Sequence, residues 1–330
     1  MGQTIAVLGA GNAGTTFALL AAQAGHAVRL WTIEPDVAAM LRQARENRKY
    51  LPGIPLPPSI AIEEALPQAL TGAYLVLLTV PSHVIRGLAR AIAPFLTPAQ
   101  LVVSIAKGLE EGTFSTMSEV LQQELPAAVR PNIVALSGPS IAREMSRGIP
   151  TAVAVAGVSR GAAETVRQAL QRPTLRVEVV DDLVGLQLGG ALKNVYALAA
   201  GLCDGLGCGG NTKAALITHG LGEMVQVGTR LGAQPATLYG LAGLGDLVVT
   251  CLAPQSRNRS LGEQLAAGHT LTQLLQTRVE VSEGVQATKV AYALGRTLQL
   301  PLPILETMHA ILFAGKAPQE AIPVFLTGRA

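Results

Sequence analysis

The sequence predicts a two-domain α/β protein, in which a doubly wound, mostly parallel sheet domain is followed by an all-helical (all-α) C-terminal domain. Through the first half of the 330 residues, apolar β-rich runs alternate with stretches of helical spacing. This alternation is typical of a parallel sheet with helices on both faces. After Asp181 and Asp182 the chain becomes rich in Ala, Leu and Gly, with helical spacing and no clear strand. We therefore expect a first domain at residues 1–182 and a second at residues 183–330.

The first predicted strand, Thr4–Leu8, runs directly into a glycine turn with the sequence Gly9-Ala10-Gly11-Asn12-Ala13-Gly14. An uncharged helical stretch follows, and a second strand, Ala27–Trp31, comes at the distance expected within one strand-helix-strand unit. The pyrophosphate of a dinucleotide needs backbone N–H groups at a helix N-terminus and turn residues without obstructing side chains. The pattern therefore predicts a Rossmann-like dinucleotide-binding domain; the alternative is a tight turn that binds nothing.

Five further strands are predicted, at residues 74–80, 101–105, 132–136, 151–155 and 175–179. Ligands of open α/β sheets bind outside the carboxyl ends of the strands. Lys107 follows such an end and is expected to direct its charge toward a cofactor and an anionic substrate; the alternative is a solvated surface lysine. The loops Ser137-Gly138-Pro139-Ser140 and Val80-Pro81-Ser82-His83 follow two other strands. For His83, a packing or helix-starting role is as good an interpretation as catalysis.

Composition narrows the functional classes. Hydrophobic residues make up 49% of the chain, charged residues 14%, and the mean hydropathy is +0.38. Each long apolar window is interrupted by a charge, a proline or clustered glycines, so we expect no membrane insertion. The net charge of +3 comes without a lysine-rich tail, which argues against a nucleic-acid partner and suits a small anionic substrate. The three cysteines match neither a disulfide framework nor a metal site, and they suit the reducing cytoplasm as small buried hydrophobes.

Lys193 lies in the apolar helix predicted at residues 184–200, where a tyrosine is the only other ionisable side chain. Burial lowers the pKa of an amine, so that a lysine exchanges protons near neutral pH as a general acid or base. The alternative is a lysine whose stem covers apolar surface while its ammonium reaches water. Gly185, Gly189 and Gly190 favour the first interpretation, since glycines within a helix often mark the close approach of another backbone or of a ligand.

Two further motifs carry chemistry in the second half. Asp246 follows the flexible turn Gly243-Leu244-Gly245, where it either caps the next helix or orients the catalytic amine and a substrate hydroxyl. The segment Ser256-Arg257-Asn258-Arg259 places a hydroxyl, two guanidiniums and an amide at a predicted helix start. That set suits a phosphate monoester; the alternative is an exposed polar turn.

These residues resemble the bacterial-type NAD(P)-dependent glycerol-3-phosphate dehydrogenases nearly end to end. Besides the glycine turn, the shared motifs are Tyr50-Leu51-Pro52, Val80-Pro81-Ser82, Lys107-Gly108-Leu109, Ser137-Gly138-Pro139-Ser140 with Ala142 and Glu144, Lys193-Asn194, Gly243-Leu244-Gly245-Asp246-Leu247, Ser256-Arg257-Asn258-Arg259 and Val281-Ser282-Glu283-Gly284. The resemblance implies a homodimeric, cytoplasmic oxidoreductase that interconverts dihydroxyacetone phosphate and sn-glycerol 3-phosphate for phospholipid synthesis. Hydride would come from NADH or NADPH and the proton from a lysine.

The same resemblance implies roles for individual residues. Lys193 is similar to the proton donor and acceptor at the substrate's C2 oxygen, Lys107 to a lysine that touches cofactor and substrate, and Asp246 to their carboxylate partner. Substrate contacts are implied for Lys107, Gly138, Ser140, Lys193, Asp246, Ser256, Arg257 and Asn258. Cofactor contacts are implied for Gly9, Gly11, Asn12, Ala13, Gly14, Thr32, Tyr50, Lys107, Ala142, Arg257, Val281 and Glu283. No metal is implied.

The chain departs from the family pattern in two places. Ala13 stands where the family usually has an aromatic side chain. Thr32 and Ile33 offer no basic group for the 2′-phosphate of NADP, whereas Glu34 is placed to hold the ribose hydroxyls of NAD. The basic residues of the following segment either reach a 2′-phosphate or form a solvated helix face; they are Arg42, Arg45, Arg48 and Lys49. The choice between NAD and NADP stays open.

Two other functions are compatible with this fold. One is a different two-domain ketone reductase, of the hydroxy acid or ketopantoate type, which would also combine a Rossmann domain with a lysine. The other is a nucleotide-sensing protein without catalysis, because a fold alone does not establish a function. The segment Ser256-Arg257-Asn258 argues against the first, and the presence of Lys107, Lys193 and Asp246 argues against the second.

Overall fold

The computed structural model describes residues 2–277 and 283–329. It divides the chain into two compact units, one made of Met1–Lys107 and Ser115–Leu183, the other of Gly108–Phe114 and Val184–Ala330. The main division thus falls after Leu183, and the short segment Gly108–Phe114 groups with the second unit, which the sequence pattern does not indicate.

The first unit is built on an eight-stranded sheet with strand order β3-β2-β1-β4-β5-β6-β7-β8. All neighbouring strands pair in parallel except β6 and β7, which are antiparallel. The strands are β1 Thr4–Leu8, β2 Ala27–Trp31, β3 Ile60–Glu63, β4 Ala73–Leu78, β5 Leu101–Ser104, β6 Ile133–Ser137, β7 Thr151–Gly157 and β8 Leu175–Val179. The predicted doubly wound, mostly parallel sheet is confirmed.

Strand β3 was not predicted from the sequence. It has only four residues, and so short a run cannot be told apart from a loop by its sequence pattern. It lies at the edge of the sheet and pairs only with β2. Ile60 and Ile62 are buried, whereas Ala61 between them is exposed.

Helices cover both faces of the sheet. They are α1 Asn12–Gln23, α2 Pro35–Ala44, α3 Leu66–Leu70, α4 Ile85–Ile92, α5 Met117–Glu124, α6 Ala142–Met145 and α7 Arg160–Leu170. Because side chains alternate along a strand, Ile5 and Val7 of β1 belong to the core that contains Phe17 of α1. Ala6 and Leu8 belong to the opposite core, which contains Ile85 of α4. Burial on both faces explains why β1 is apolar at successive positions.

From Val184 onward, the described residues of the second unit form helices joined by loops. Its helices are α8 Leu183–Gly205, α9 Gly210–Arg230, α10 Pro235–Tyr239, α11 Asp246–Leu252, α12 Arg257–Ala266, α13 Leu271–Thr277, α14 Glu283–Leu298, α15 Pro303–Phe313 and α16 Ile322–Thr327, and a π-helical turn spans Leu241–Gly245. Helix α8 is buried continuously from Gly185 to Cys203. A helix that is apolar all round packs on all sides, and α8 is accordingly the centre of this unit.

The stretch Pro235–Leu252 is long and apolar enough to cross a membrane by length and composition. It consists of α10, the π-helical turn and α11 rather than one regular helix. Core helices of globular proteins also reach this hydropathy, so the stretch is weak evidence for a membrane span.

Candidate active site

The glycine turn after β1 fits a pyrophosphate. Gly9 has φ +115°, which favours glycine, and its N–H donates to Trp31 O at 3.0 Å. A Cβ at Gly14 would lie 1.8 Å from Gly9 O, whereas a Cβ at Gly11 would meet no atom within 4 Å. Helix α1 begins directly after Gly11 and has no acidic residue in its first turn. The open space above Gly11 and the positive end of α1 suit the phosphates of a dinucleotide.

The loop that follows α2 is tied to this glycine turn by Asn47. The Asn47 side chain is fully buried and donates to Ala10 O at 2.7 Å and to Thr15 Oγ1 at 2.8 Å. Its Oδ1 accepts from Tyr50 N at 3.1 Å. Asn47 is not predicted from the sequence, because an amide within a basic segment has no distinguishing pattern around it.

Thr32 and Tyr50 lie on either side of Glu34. Thr32 is buried, and its hydroxyl accepts from Glu34 N at 3.1 Å. The Tyr50 hydroxyl donates to the Glu34 carboxylate at 3.0 Å. The interpretation of the nearby basic residues as one helix face is wrong, because α2 ends at Ala44 and the segment beyond it is a loop.

Lys107 follows β5, as the sequence predicts. Its ammonium donates to Gly138 O at 3.1 Å and to Ser140 Oγ at 3.3 Å, and Ser140 Oγ donates to the same carbonyl at 3.0 Å. Lys107 is half-buried, and these bonds hold its ammonium against Gly138 and Ser140. Ala142 O accepts from Thr16 Oγ1 at 3.2 Å, which joins the start of α6 to α1.

His83 and Ala13 lie at the starts of two helices of the first unit. His83 is exposed within a short 3-10 helix at Ser82–Val84, in agreement with a helix-starting role. Ala13 lies in the first turn of α1, where its N–H donates to Asn12 Oδ1 at 2.6 Å.

The second unit holds a buried ion pair between Lys193 of α8 and Asp246 of α11. The two residues are 7% and 1% exposed, and Lys193 Nζ donates to Asp246 Oδ1. The same ammonium donates to Thr250 Oγ1 at 2.8 Å, and this hydroxyl donates to Asp246 O at 2.6 Å. The alternative of an ammonium that reaches water is therefore wrong for Lys193. Asp246 directs its carboxylate to the amine and does not act as a helix cap.

Thr250, the third residue of this hydrogen-bonded group, is not among the predicted residues. A signal was present, because residues four positions apart on a helix share a face, and Thr250 follows Asp246 by four.

A π-helical turn positions Asp246. In this turn Gly245 N donates to Gly240 O at 3.1 Å, which widens the helix directly before Asp246. A Cβ on Gly189 would lie 2.5 Å from Ala242 O, so the backbones of α8 and the turn approach as closely as only glycine allows. Lys193 lies one turn after Gly189 on α8 and thereby comes within reach of Asp246.

An amide network extends from the residue next to Lys193. Asn258 Nδ2 donates to Asn194 Oδ1 at 2.9 Å, and Asn258 Oδ1 accepts from Gly284 N at 3.0 Å. Asn194 Nδ2 makes a long contact of 3.5 Å with Glu283 Oε2. The expected cofactor residue Val281 lies outside the described residues.

The expected phosphate segment begins α12, as predicted. Ser256 is the N-cap, and its hydroxyl accepts from Arg259 N at 3.3 Å, while Arg257 is exposed in the first turn. Arg259 donates to Asp204 at 2.6 Å and to Glu263 at 2.7 Å. Because Asp204 lies in α8 and Glu263 in α12, the guanidinium links these two helices.

Two of the three cysteines, Cys203 and Cys251, are buried. Burial raises the pKa of the Cys203 and Cys251 thiols to about 12, so both stay protonated near neutral pH. Cys251 directly follows Thr250 on α11. Cys208 is only half-buried and departs in this from the expectation of three buried thiols.

Nearly the whole chain is similar to known proteins. Profiles described as the N-terminus and the C-terminus of NAD-dependent glycerol-3-phosphate dehydrogenase match residues 4–163 and 182–323. A glycerol-3-phosphate dehydrogenase (NAD(P)+) from Geobacter sp. strain M21 is 46% identical over 99% of this chain and 98% of its own.

Solved structures give the same result. A glycerol-3-phosphate dehydrogenase from Coxiella burnetii superposes with a TM-score of 0.93 at 35% identity over 99% of both chains. A ketopantoate reductase from Ralstonia eutropha reaches a TM-score of 0.63 at 19% identity over 97% of this chain and 99% of its own, which shows a likeness of fold alone.

Proposed function

The chain belongs to the family of NAD-dependent glycerol-3-phosphate dehydrogenases, and we propose on this basis that it interconverts dihydroxyacetone phosphate and sn-glycerol 3-phosphate. It is an NAD(P)-dependent oxidoreductase acting on a small phosphorylated substrate. The observation that carries the assignment of roles is the buried pair of Lys193 and Asp246. A reduction of a ketone needs one hydride and one proton, and this pair supplies a route for the proton.

The nicotinamide, when bound, supplies the hydride to C2 of the ketone or takes it from the alcohol. Lys193 Nζ gives a proton to the C2 oxygen as the alkoxide develops, and it takes the proton back in the oxidation. Asp246 and Thr250 hold the amine in one orientation, since both bond to Nζ. A fixed donor lowers the barrier because no reorientation is needed during the reaction.

We assign the remaining charges of the site to the substrate and the cofactor. Arg257 is exposed at the N-terminus of α12, where a guanidinium and a helix end both favour a phosphate. Ser256 and Asn258 stand beside it at the same helix start. In the first unit, Lys107 is held by Gly138 and Ser140, and by the resemblance we assign it to binding of the anionic substrate.

Cofactor contacts come from the glycine turn Gly9–Gly14, Thr32, Tyr50, Lys107, Ala142, Arg257 and Glu283. The fit rests on Gly11, above which a Cβ would meet no atom within 4 Å. Glu283 is linked to the catalytic helix through Asn194, the residue after Lys193.

The alternatives receive less support. The ketopantoate reductase shares the fold at 19% identity, far below the 46% of the glycerol-3-phosphate dehydrogenase from Geobacter. A nucleotide sensor without catalysis would have no use for a buried amine held by both Asp246 and Thr250.

We also propose that the protein is cytoplasmic and forms a homodimer. This proposal is supported by the buried, protonated Cys203 and Cys251 and by exposed apolar side chains in the second unit, including Tyr239 and Leu252 at 57% and 52% exposure. Light scattering on the purified chain tests the oligomeric state, and a monomer would contradict the dimer.

The experiment is the oxidation of NADH and NADPH by dihydroxyacetone phosphate, followed by absorbance, for the wild type and Lys193→Ala. We expect turnover that depends on the phosphate of the substrate and falls by roughly 100- to 10,000-fold in Lys193→Ala. Cofactor binding should change little. Lys289→Ala is the matched control, since Lys289 is half exposed and pairs with Glu111 on the surface. Bound cofactor without turnover in the wild type would contradict the function and favour the sensor.

A further inference from the structure

The carboxyl end of β2 carries an acidic group beside the glycine turn. Gly9 N bonds Trp31, the last residue of β2, and Glu34 lies three residues further on. The loop that contains Lys49 and Tyr50 is fastened to Ala10 through the buried Asn47. Glu34, Lys49 and Tyr50 therefore lie at the edge of the sheet where the glycine turn would hold a dinucleotide.

Glu34 is held in place from two sides. Its carboxylate accepts from Lys49 Nζ at 2.5 Å and from the Tyr50 hydroxyl at 3.0 Å. Lys49 Nζ also donates to Asp36 at 3.2 Å. Glu34 and Asp36 thus share one ammonium, and the three side chains together carry a net negative charge. The Glu34 bond raises the pKa of Lys49, in line with an ammonium committed to its carboxylates.

The other basic residues of this segment are also engaged. Arg42 pairs with Glu64 and donates to Ile62 O, and Arg48 pairs with Glu46. Arg45 donates to the carbonyls of Pro57 and Ile60. These cations stabilise the loop and are not directed to a second phosphate.

The side chain directly after Thr32 is apolar. Ile33 is 79% exposed, more than the other exposed large hydrophobic residues of the described chain. An exposed isoleucine at this place offers contact to a flat apolar ring and gives nothing to a phosphate dianion.

From these observations we propose that Glu34 is a specificity-determining residue that selects the unphosphorylated ribose of NAD over the 2′-phosphate of NADP, and that it holds Lys49 away from that phosphate. This inference rests on the proposed dehydrogenase function for its biological meaning. The carboxylate accepts hydrogen bonds from the ribose hydroxyls, whereas a 2′-phosphate would place two further negative charges beside Glu34 and Asp36.

The test measures equilibrium dissociation constants for NADH and NADPH by cofactor fluorescence, without substrate, on the full chain. We expect the wild type to bind NADH about tenfold or more tightly than NADPH. Glu34→Gln should weaken NADH binding and strengthen NADPH binding, so that the ratio of the two dissociation constants moves by roughly 10- to 100-fold. One charged acceptor is lost, and Lys49 keeps only Asp36 as its carboxylate partner. In that background, Lys49→Gln should remove the gain in NADPH binding.

Asp36→Asn is the matched control. It removes a carboxylate that also contacts Lys49 but is more exposed, and it should move the ratio less than Glu34→Gln. Thermal unfolding confirms that each variant is folded.

Three results would overturn the proposal. They are NADPH binding as tight as NADH in the wild type, an unchanged ratio in folded Glu34→Gln, and a double variant that keeps the NADPH gain, which removes the role of Lys49. Because these constants need no turnover, failure of the specificity is seen separately from failure of dihydroxyacetone phosphate reduction.

Discussion

Lys193 and Asp246 form a buried ion pair between helices α8 and α11, although 53 positions separate them in the chain. Both side chains are shielded from water, and Thr250 supplies the third group of the arrangement. Forming a buried ion pair costs free energy, because both charges lose their hydration. Removing one partner destabilises the fold even more, because the other charge is then buried without a counter-ion. The ion pair therefore positions the amine of Lys193 at a cost in the stability of the fold.

The ion pair predicts strong coupling between its two members. Asp246→Asn should lower the free energy of unfolding by roughly 3 kcal/mol, because Lys193 loses its counter-ion in a buried place. The double variant Lys193→Met with Asp246→Asn should lose less than the sum of the single variants, by about 1–3 kcal/mol. Urea unfolding of the four proteins measures this coupling.

The exposed pair of Lys289 and Glu111 is the control for that cycle. Surface pairs contribute little, so the same cycle there should show little or no coupling. Equal coupling at both places would show that burial is not what makes the Lys193 pair strong.

Thr250 is predicted to help position the Lys193 amine, with a weaker bond to it than that of Asp246. Thr250→Val keeps the shape of the side chain and removes the hydroxyl between Lys193 Nζ and Asp246 O. A hydrogen bond donated by an ammonium contributes about 1.5–3 kcal/mol, so kcat should fall roughly 10-fold to 100-fold with little change in cofactor binding. Thr297→Val on α14, whose hydroxyl bonds only a helix carbonyl, is the control. An unchanged kcat would remove Thr250 from the site.

Alanine substitutions at Gly14 and Gly11 of the turn are predicted to affect different properties, stability in the first case and NADH binding in the second. In Gly14→Ala the new Cβ would overlap Gly9 O, which should destabilise the fold by roughly 3 kcal/mol or more. In Gly11→Ala the Cβ enters open space, so stability should change by no more than about 1 kcal/mol. NADH binding should nevertheless weaken at least tenfold, because a methyl group then occupies the place of the pyrophosphate.

Thermal unfolding and NADH titration of both variants check this difference. The interpretation of the turn as a phosphate cradle is wrong if Gly11→Ala binds NADH as tightly as the wild type.

Glu223 of α9 predicts how stability depends on pH. Burial raises its pKa to about 7, although Ile304 N, Leu305 N and the Tyr196 hydroxyl all donate to its carboxylate, and nearby Glu306 adds to the increase. Its pKa is 4.5 in the absence of these effects. Between pH 4.5 and 7 the unfolded chain therefore releases a proton that the folded chain keeps. Stability should fall as the pH rises through this window, by about 3 kcal/mol in total.

Urea unfolding at several pH values, on the wild type and Glu223→Gln, isolates this contribution. The difference between the two proteins should change steadily from pH 4.5 to 7 and then level off. A constant difference across the window would mean that Glu223 is ionised in the folded protein throughout.

Local patterns predicted most of the first unit. Strands β1 and β2 and the glycine turn were found because apolar runs, helix spacing and glycines act within a few residues of each other. Strand β3 was missed because its four residues form a strand only by pairing with β2 at the edge of the sheet. The segment Gly108–Phe114 groups with the second unit, and no local pattern marks this.

Patterns along the chain were enough to predict the fold class and the family, and they also predict the candidate residues Lys107, Lys193, Asp246 and Arg257, which stand out by their residue type and their neighbours. The contacts that these residues make follow only from the folded chain. It showed that Lys193 is paired rather than solvated, that Thr250 and Asn47 take part, and that Glu34 holds Lys49. The physical reason is that hydrogen bonds and ion pairs depend on distances between atoms that are far apart in sequence. Propensity and periodicity act over a few residues and carry no information about those distances.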